Sequence, residues 1–355
     1  MRTLLLSLAL ALPLASAADD KPAAADDGFK PMFNGKNLDG WHNVNCAPGT
    51  FFTKGDEVVT TGTPTGFLAT NRQYENFNLE MDWMHVGKGK MASRGLFGWG
   101  DPPPAVGNPY TRGIEVQVLI NYKPKDGWAT SHGDIFSIHG AKCTPDRPHF
   151  RGIERCLPSE ERVKGGGEWN HYKVIANDGV IKLHVNGKEV SGVSKSNPRK
   201  GYLALESEGV ECHFKNLKIK ELPSTNPKPE EIAKVWEGHT SVFTGLNLDG
   251  WKCEKDAWKA AGGAMKCAAK KPIETEKKYG KCELIFDWRA PAKADKPEVR
   301  VSLNGGAMTF GGKPGAWTRE TVRINALDND RTPVRFEATE GTDIMNVFIR
   351  ELKEK

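Results

Sequence analysis

The nine-residue phrase Phe33-Asn-Gly-Lys-Asn-Leu-Asp-Gly-Trp41 returns 210 residues later as Phe243-Thr-Gly-Leu-Asn-Leu-Asp-Gly-Trp251, identical at seven of nine positions. A repeat at that spacing means two copies of one folding unit rather than one large domain. Three later landmarks keep the register: Tyr74 to Trp83 with Tyr279 to Trp288, Gly167-Glu-Trp169 with Gly315-Ala-Trp317, and Asn216 to Glu221 with Asn346 to Glu351. Trp83 to Gly167 is 84 positions, whereas Trp288 to Gly315 is 27. The first copy therefore carries an insertion of nearly sixty residues. Whatever that insertion holds, and the second copy lacks, is where chemistry is to be sought.

The apolar pattern is mostly of period two. Ile181, Leu183 and Val185 share one face before the turn at Asn186-Gly187, and Leu217 and Ile219 alternate with Lys218 and Lys220. Short alternating runs separated by turn signals predict an all-β sandwich in each copy. The first domain is expected over 29–222 and the second, reduced and without catalytic residues, over 238–353. Between them, 223–237 reads as a Pro-rich linker with a short helix around Pro229 to Trp236. At the start, Met1-Arg2-Thr3, an apolar run to Leu14 and Ala15-Ser16-Ala17 make residues 1–17 a secretory signal peptide. Residues 18–28 read as a disordered leader, and the mature protein is expected to be secreted or periplasmic. No later segment is apolar for long enough to suggest a transmembrane span.

A formal charge of +5 over 355 residues is mild, and the lysines are interleaved with Ala, Gly and Glu rather than with stacking aromatics. Nucleic acid is therefore not an expected partner. None of the seven cysteines shows C-x-x-C spacing, which weakens a zinc or thioredoxin reading. In an oxidising compartment the expected pairs are Cys143 with Cys156 and Cys253 with Cys267.

Inside the insertion, Val116, Val118 and Ile120 alternate with Glu115 and Gln117. A carboxylate and an amide side by side on a non-core face suit a concave sugar-binding sheet, or an ordinary solvent-facing strand. His139 follows the alternating Asp134, Phe136 and Ile138, and Arg94 and Arg112 each precede a glycine. Outside the insertion, Tyr202, Ala204, Glu206 and Glu208 share a strand face, a credible acid/base element. Asp82 recurs as Asp287 in the copy without the insertion, which points to a structural role. Trp99, Trp128 and Tyr110 offer aromatic surface for a sugar ring. No phosphate loop, serine nucleophile elbow or H-E-x-x-H motif is present. A divalent metal remains possible, with no spacing that specifies one.

The ordered motifs F-N-G-K-N-L-D-G-W, G-F-L-A-T, Y-E-N-F-N-L, I-E-V-Q-V-L, G-E-W-N, H-V-N-G-K and F-K-N-L-K-I-K-E-L resemble the 3-keto-disaccharide hydrolase family, formerly domain of unknown function 1080. The resemblance covers the whole first domain and part of the second. It implies two concanavalin-like jelly rolls in tandem and a 3-keto-glucoside 1,2-lyase or 3-keto-2-hydroxy-glucal hydratase activity on an oligosaccharide or glycoside substrate. A C3 ketone acidifies the C2 proton, so a carboxylate or imidazole removes it, the C1 substituent leaves, and water adds back.

On this reading Glu115 or His139 is the base, Arg112 the enolate stabiliser and Glu206 the leaving-group acid. Arg94, Gln117, Asp134, Trp99 and Tyr202 would bind substrate. Two departures stand out: relatives place a histidine where this chain has Glu206-Ser-Glu208, and an aspartate where it has Ile120. The alternatives are a non-catalytic secreted carbohydrate-binding module and a structural envelope protein.

Overall fold

The computed structural model describes residues 27–324 and 331–352. The signal-peptide reading of 1–17, and the 18–28 leader up to residue 26, lie outside the described residues. Among the described residues the chain is built from four antiparallel sheets. In the first sandwich a nine-stranded sheet runs from Lys142–Pro145 through Asn170–Asn177, Phe77–His85 and Cys212–Glu221 to Phe51–Lys54. It packs on a seven-stranded sheet ordered Arg155–Cys156, Ile135–Ile138, Gly113–Gln117, Gly95–Gly100, Tyr202–Ser207, Gly66–Thr70 and Trp41–Val44. The second sandwich pairs a six-stranded sheet centred on Cys282–Arg289 and Asp343–Glu351 with a five-stranded sheet centred on Thr332–Ala338.

Alternation explains the layers. Along Phe77–His85 every odd residue is buried and every even one is partly exposed, so Phe77, Leu79, Met81 and Trp83 enter the core while Asn78, Glu80 and Asp82 face outward. Trp83 and its counterpart Trp288 are both fully buried in their own cores. Each large apolar side chain buried in this way contributes about 1.5–3 kcal/mol.

The seven-stranded sheet breaks this pattern: Gly95–Gly100, Gly113–Gln117 and Tyr202–Ser207 are buried at every position. One face lies in the first core. On the other, Val44, Phe67, Ala69, Phe97 and Ala204 form a separate apolar cluster with Phe348 and Ile285 of the second sandwich. The second copy therefore sits on the outer face of the first copy's sheet. A strand covered on both faces loses its polar alternation.

Two expectations are corrected. The helix predicted around Pro229 to Trp236 is a single 3₁₀ turn, Pro229–Glu231. Ile232 is already extended, and the Ala233 N–H is taken by the Lys200 carbonyl. The predicted disulfides are absent, and all seven cysteines are free thiols. Cys143 and Cys156 come from opposite sheets and enter the first core, where each acts as a small apolar side chain. Cys267 is likewise buried in the second core, with only Cys253 of the seven partly exposed. Among the described residues no helix is long and apolar enough to cross a membrane.

Candidate active site

On the outer face of the seven-stranded sheet, strand register lines up the polar residues. Glu115 lies between Phe136 on one neighbouring strand and Phe97 on the other. Two residues along, Gln117 pairs with Gly95. Ala204 pairs with Phe97 and Leu205 with Leu96, and the same register carries Glu206 to Gly95. Gly95 is the pivot of this arrangement. A Cβ there would stand 2.8 Å from Glu115 Cγ, so only glycine lets the Glu115 side chain lie across the strand towards Glu206. The Gln117 amide donates to Glu115 Oε1 at 3.2 Å.

Both carboxyl groups are buried, Glu115 at 7 % and Glu206 at 1 % exposure. Burial raises the proton affinity of Glu115 to a pKa of about 8, opposed by Arg155 and reinforced by Glu208 and Asp134. Burial pushes Glu206 well above the usual carboxylate range, reinforced by Glu115 and Glu208 and opposed by Arg94. Two carboxyl groups whose environments disfavour two negative charges do not both ionise at neutral pH, so one can stand as the carboxylate while the other keeps its proton. Such a pair can give a proton to one atom and take one from another.

A rim of half-buried Tyr110 and exposed His139 stands over this pair. The Tyr110 hydroxyl donates to Glu208 Oε1 at 2.7 Å, and its ring stacks on His139 with centroids 6.0 Å apart. Burial drives the Tyr110 phenol strongly upward, as does its bond to the Glu208 carboxylate. Burial lowers the His139 pKa, which keeps the imidazole neutral at pH 7. Beyond the rim, Trp128, Phe136, His139 and Arg155 line an open depression of about 440 Å³.

The sequence-derived candidates separate here. Glu115, Gln117 and Glu206 come together, with His139 at the rim. Arg94 is fully buried beneath them; its Nη1 reaches only its neighbour's carbonyl, while Nε and Nη2 have no protein partner. Arg112 is not brought to this group, because its guanidinium makes two bonds to the Asp101 carboxylate at 2.8 and 3.2 Å. Asp134 is fully buried and saturated by Arg155 at 2.5 Å and by the Thr130 N–H and hydroxyl, so it anchors the loop rather than a ligand. Trp99 turns into the core and donates its indole N–H to the Glu75 carbonyl. A left-handed backbone at Trp99, φ 55°, makes the bulge that reverses its side. Tyr202 accepts the Trp236 N–H at 2.7 Å and ties down the linker.

The sequence placed Tyr110 among the aromatics and Glu208 on the acid/base strand face without joining them, and it singled out neither Gly95 nor Arg155. Arg155 lies over the Phe136 ring at 3.7 Å and beside Trp128 at 5.0 Å, a contact between distant segments with no local signature. The Ser93-Arg-Gly segment did hold a signal at Gly95, since glycine within a strand marks a close approach. For a metal, the described residues offer one group, Glu237, His239 and Glu283. Arg350 already bonds Glu237 at 2.7 Å and Glu283 at 3.1 Å, so a guanidinium holds that charge, and the fit to a divalent ion is poor.

A profile of the 3-keto-alpha-glucoside-1,2-lyase-like domain matches residues 28–220, the first sandwich. No curated protein matches the chain. Among solved structures, the chain is similar to a Parabacteroides distasonis protein provisionally assigned as a glycosyl hydrolase, at 22% identity, covering 55% of this chain and 94% of that one, with a TM-score of 0.42. It is also similar to the carbohydrate binding module CBM66 from Bacillus subtilis, at 15% identity, 51% and 96% coverage and a TM-score of 0.37. The CBM22 tandem domain of Paenibacillus barcinonensis Xyn10C covers 92% of this chain and 97% of its own at 10% identity and a TM-score of 0.25.

Proposed function

This chain belongs to the 3-keto-alpha-glucoside-1,2-lyase-like family, and on that premise we propose that it is an exported enzyme cleaving 3-keto glycosides by elimination and hydration. The observation that carries this reading is the pair of buried carboxyl groups, Glu115 and Glu206, on the strands either side of Gly95 and both with raised proton affinities.

A 3-keto glucoside needs weak acid and base groups rather than the strong electrophilic push of an ordinary glycosidase. Glu115, as the ionised member of the pair, removes the C2 proton. The C2–H electron pair becomes an enolate delocalised onto the C3 oxygen. As the enolate collapses, a C1–C2 double bond forms and the C1–O bond breaks. Glu206, the more deeply buried of the two, keeps its proton and delivers it to the departing oxygen. Water then adds across the double bond, with hydroxide to C1 and the proton to C2, and gives the 3-keto sugar.

His139, exposed at the rim and stacked on Tyr110, is the donor placed to meet the C3 oxygen in place of Arg112, which is committed to Asp101; Tyr110, whose single proton goes to Glu208, holds that rim in place. The Arg94 guanidinium beneath the pair moderates the cost of the anionic state without touching substrate. Aromatic surface at Trp128 and Phe136 supplies a platform for a sugar ring.

Incubation with a 3-keto glucoside in heavy water tests the reading, with unmodified sucrose and trehalose as controls. Deuterium at C2 together with released aglycone is expected, and loss of both in Glu115→Gln. Binding of the unmodified sugars without turnover of the ketone would replace this reading with that of a carbohydrate-binding module.

A further inference from the structure

We propose that the second sandwich is a positioning device for the first: Asp287, Arg319 and Asn346 hold the 101–111 loop so that Tyr110 stays on Glu208. This inference rests on the acid/base reading of the Glu115–Glu206 site.

The first copy shows what these residues do without a partner. Asp82 faces outward, accepts from the Asn216 amide at 2.6 Å and lies 2.7 Å from His171 Nδ1. Strand pairing makes His171 the neighbour of Asp82, and Arg319 the neighbour of Asp287. Asn216 and Asn346 have the same left-handed backbone, φ 52° and 51°. The second copy therefore repeats the triad as Asp287, Arg319 and Asn346, with arginine in place of histidine.

In the first copy the triad is on the surface. In the second, Asp287 is fully buried and Asn346 is 2 % exposed, because the 101–111 loop of the first copy lies on them. Asp287 Oδ2 accepts the Gly107 N–H at 2.9 Å. The Asn346 amide donates to the Asn108 carbonyl at 2.9 Å and the Ala105 carbonyl at 3.2 Å. Arg319 Nη2 donates to the Pro104 carbonyl at 2.8 Å. Trp317 packs on Gly107 so closely that a Cβ there would stand 2.3 Å from the indole. Four successive points of one loop are thus gripped by the second sandwich.

That loop ends in Tyr110. Its carbonyl accepts the Ala105 N–H at 2.8 Å, so the gripped residues set where the phenol stands. The replacement of histidine by arginine is what reaches Pro104. A side chain of the repeat, idle in one copy, becomes in the other a clamp on the neighbour's rim. These are positioning residues, acting on the site only through Tyr110 and the Glu208 and His139 it holds.

The test uses the full chain labelled with 3-fluorotyrosine, the Tyr110 resonance being assigned by its loss in Tyr110→Phe. Asn346→Gly removes the amide while glycine keeps the left-handed backbone. Asn216→Gly removes its twin from the first copy. Arg319→His installs the first copy's own residue, which can keep one contact to Asp287 but loses the second Asp287 bond and the reach to Pro104, and it keeps the test open should Asn346→Gly not fold. In Asn346→Gly and Arg319→His the Tyr110 fluorine resonance is expected to move towards its position in the unfolded chain, as the phenol leaves Glu208 and His139. On a 3-keto glucoside, kcat is expected to fall about tenfold with KM little changed. Asn216→Gly should move neither.

Tyr110→Phe combined with Asn346→Gly should be no slower than Tyr110→Phe alone. An unmoved Tyr110 fluorine resonance in both clamp variants, or fully multiplicative rate losses in the combined variant, overturns the proposal. The resonance reads the clamp without any turnover, so inactivity of the unaltered protein on every 3-keto glucoside would count against the function while leaving this test decided by the fluorine signal.

Discussion

The carboxylate of Asp287 and the backbone N–H of Gly107 meet at 2.9 Å across the seam between the two sandwiches. They lie 180 residues apart in the chain, and each belongs to a different copy of the repeat. Their contact makes the duplication asymmetric: one copy presents its outer face to solvent, and the other lays the equivalent face on its neighbour's carboxylate-bearing sheet.

The two equivalent aspartates should therefore respond unequally to truncation. Asp287→Ala strips the partner from Arg319 at a fully buried site and is expected to cost about 3–5 kcal/mol. Asp82→Ala, at a partly exposed pair with His171, is expected to cost no more than about 1 kcal/mol. Urea unfolding of the two variants side by side measures the difference; equal losses would remove the case for a buried interface.

Glu115 should make the folded chain lose stability as pH rises. Its pKa is raised from 4.5 to about 8 by folding, so the folded state binds the proton more tightly. That stabilisation is whole below about pH 4.5 and is lost as pH climbs through about 8. The loss is on the order of a few kcal/mol at most, since each pKa unit corresponds to about 1.4 kcal/mol. Thermal melts from pH 4.5 to 8.5 should show Tm falling, and Glu115→Gln should flatten the slope. A Tm that rises over this range in the unaltered protein contradicts the buried-pair geometry.

Gly95→Ala should cost activity out of proportion to its size. The new Cβ would stand 2.8 Å from Glu115 Cγ, forcing the side chain off Glu206 at about 1–3 kcal/mol of overpacking. Gly98→Ala, three residues along the same strand, meets nothing nearer than 3.6 Å and should be close to neutral. Comparing kcat and Tm of the pair isolates the steric demand at Gly95.

Cysteine labelling should find seven thiols and no disulfide after unfolding. In the native state only Cys253 should react quickly with iodoacetamide, being the one partly exposed thiol. Cys46 and Cys212 are pushed up to about 12 by burial, which removes the thiolate that alkylation needs. Mass spectrometry of native and unfolded samples counts the labels; a mass two units low would reinstate a disulfide.

Much of the fold was legible because alternation is a local property. Phe77 to His85 and Val180 to Val185 announced their buried faces by period two alone. The insertion was legible by comparing the copies, and Glu115, Gln117 and Glu206 do share a face of one sheet. Arg112 was misplaced because its partner Asp101 comes from the preceding loop, and pattern cannot say which carboxylate captures a guanidinium. Trp99 was misplaced because a single left-handed residue reverses the side on which a strand displays its side chains. The cysteines were misread because compartment suggests oxidation, while packing seats these thiols in two apolar cores.

By itself the sequence determined that there are two sandwiches and which of them carries the carboxylates, since periodicity and repetition are written in consecutive residues. It did not determine that Asp287, Arg319 and Asn346 bear on the first copy. The same triad reads alike in both copies, and its burial depends on which face another part of the chain comes to cover. Only the tertiary structure decides that, because contact between distant segments is set by the packing of Phe348 and Ile285 on Phe97 and Ala204, not by local pattern.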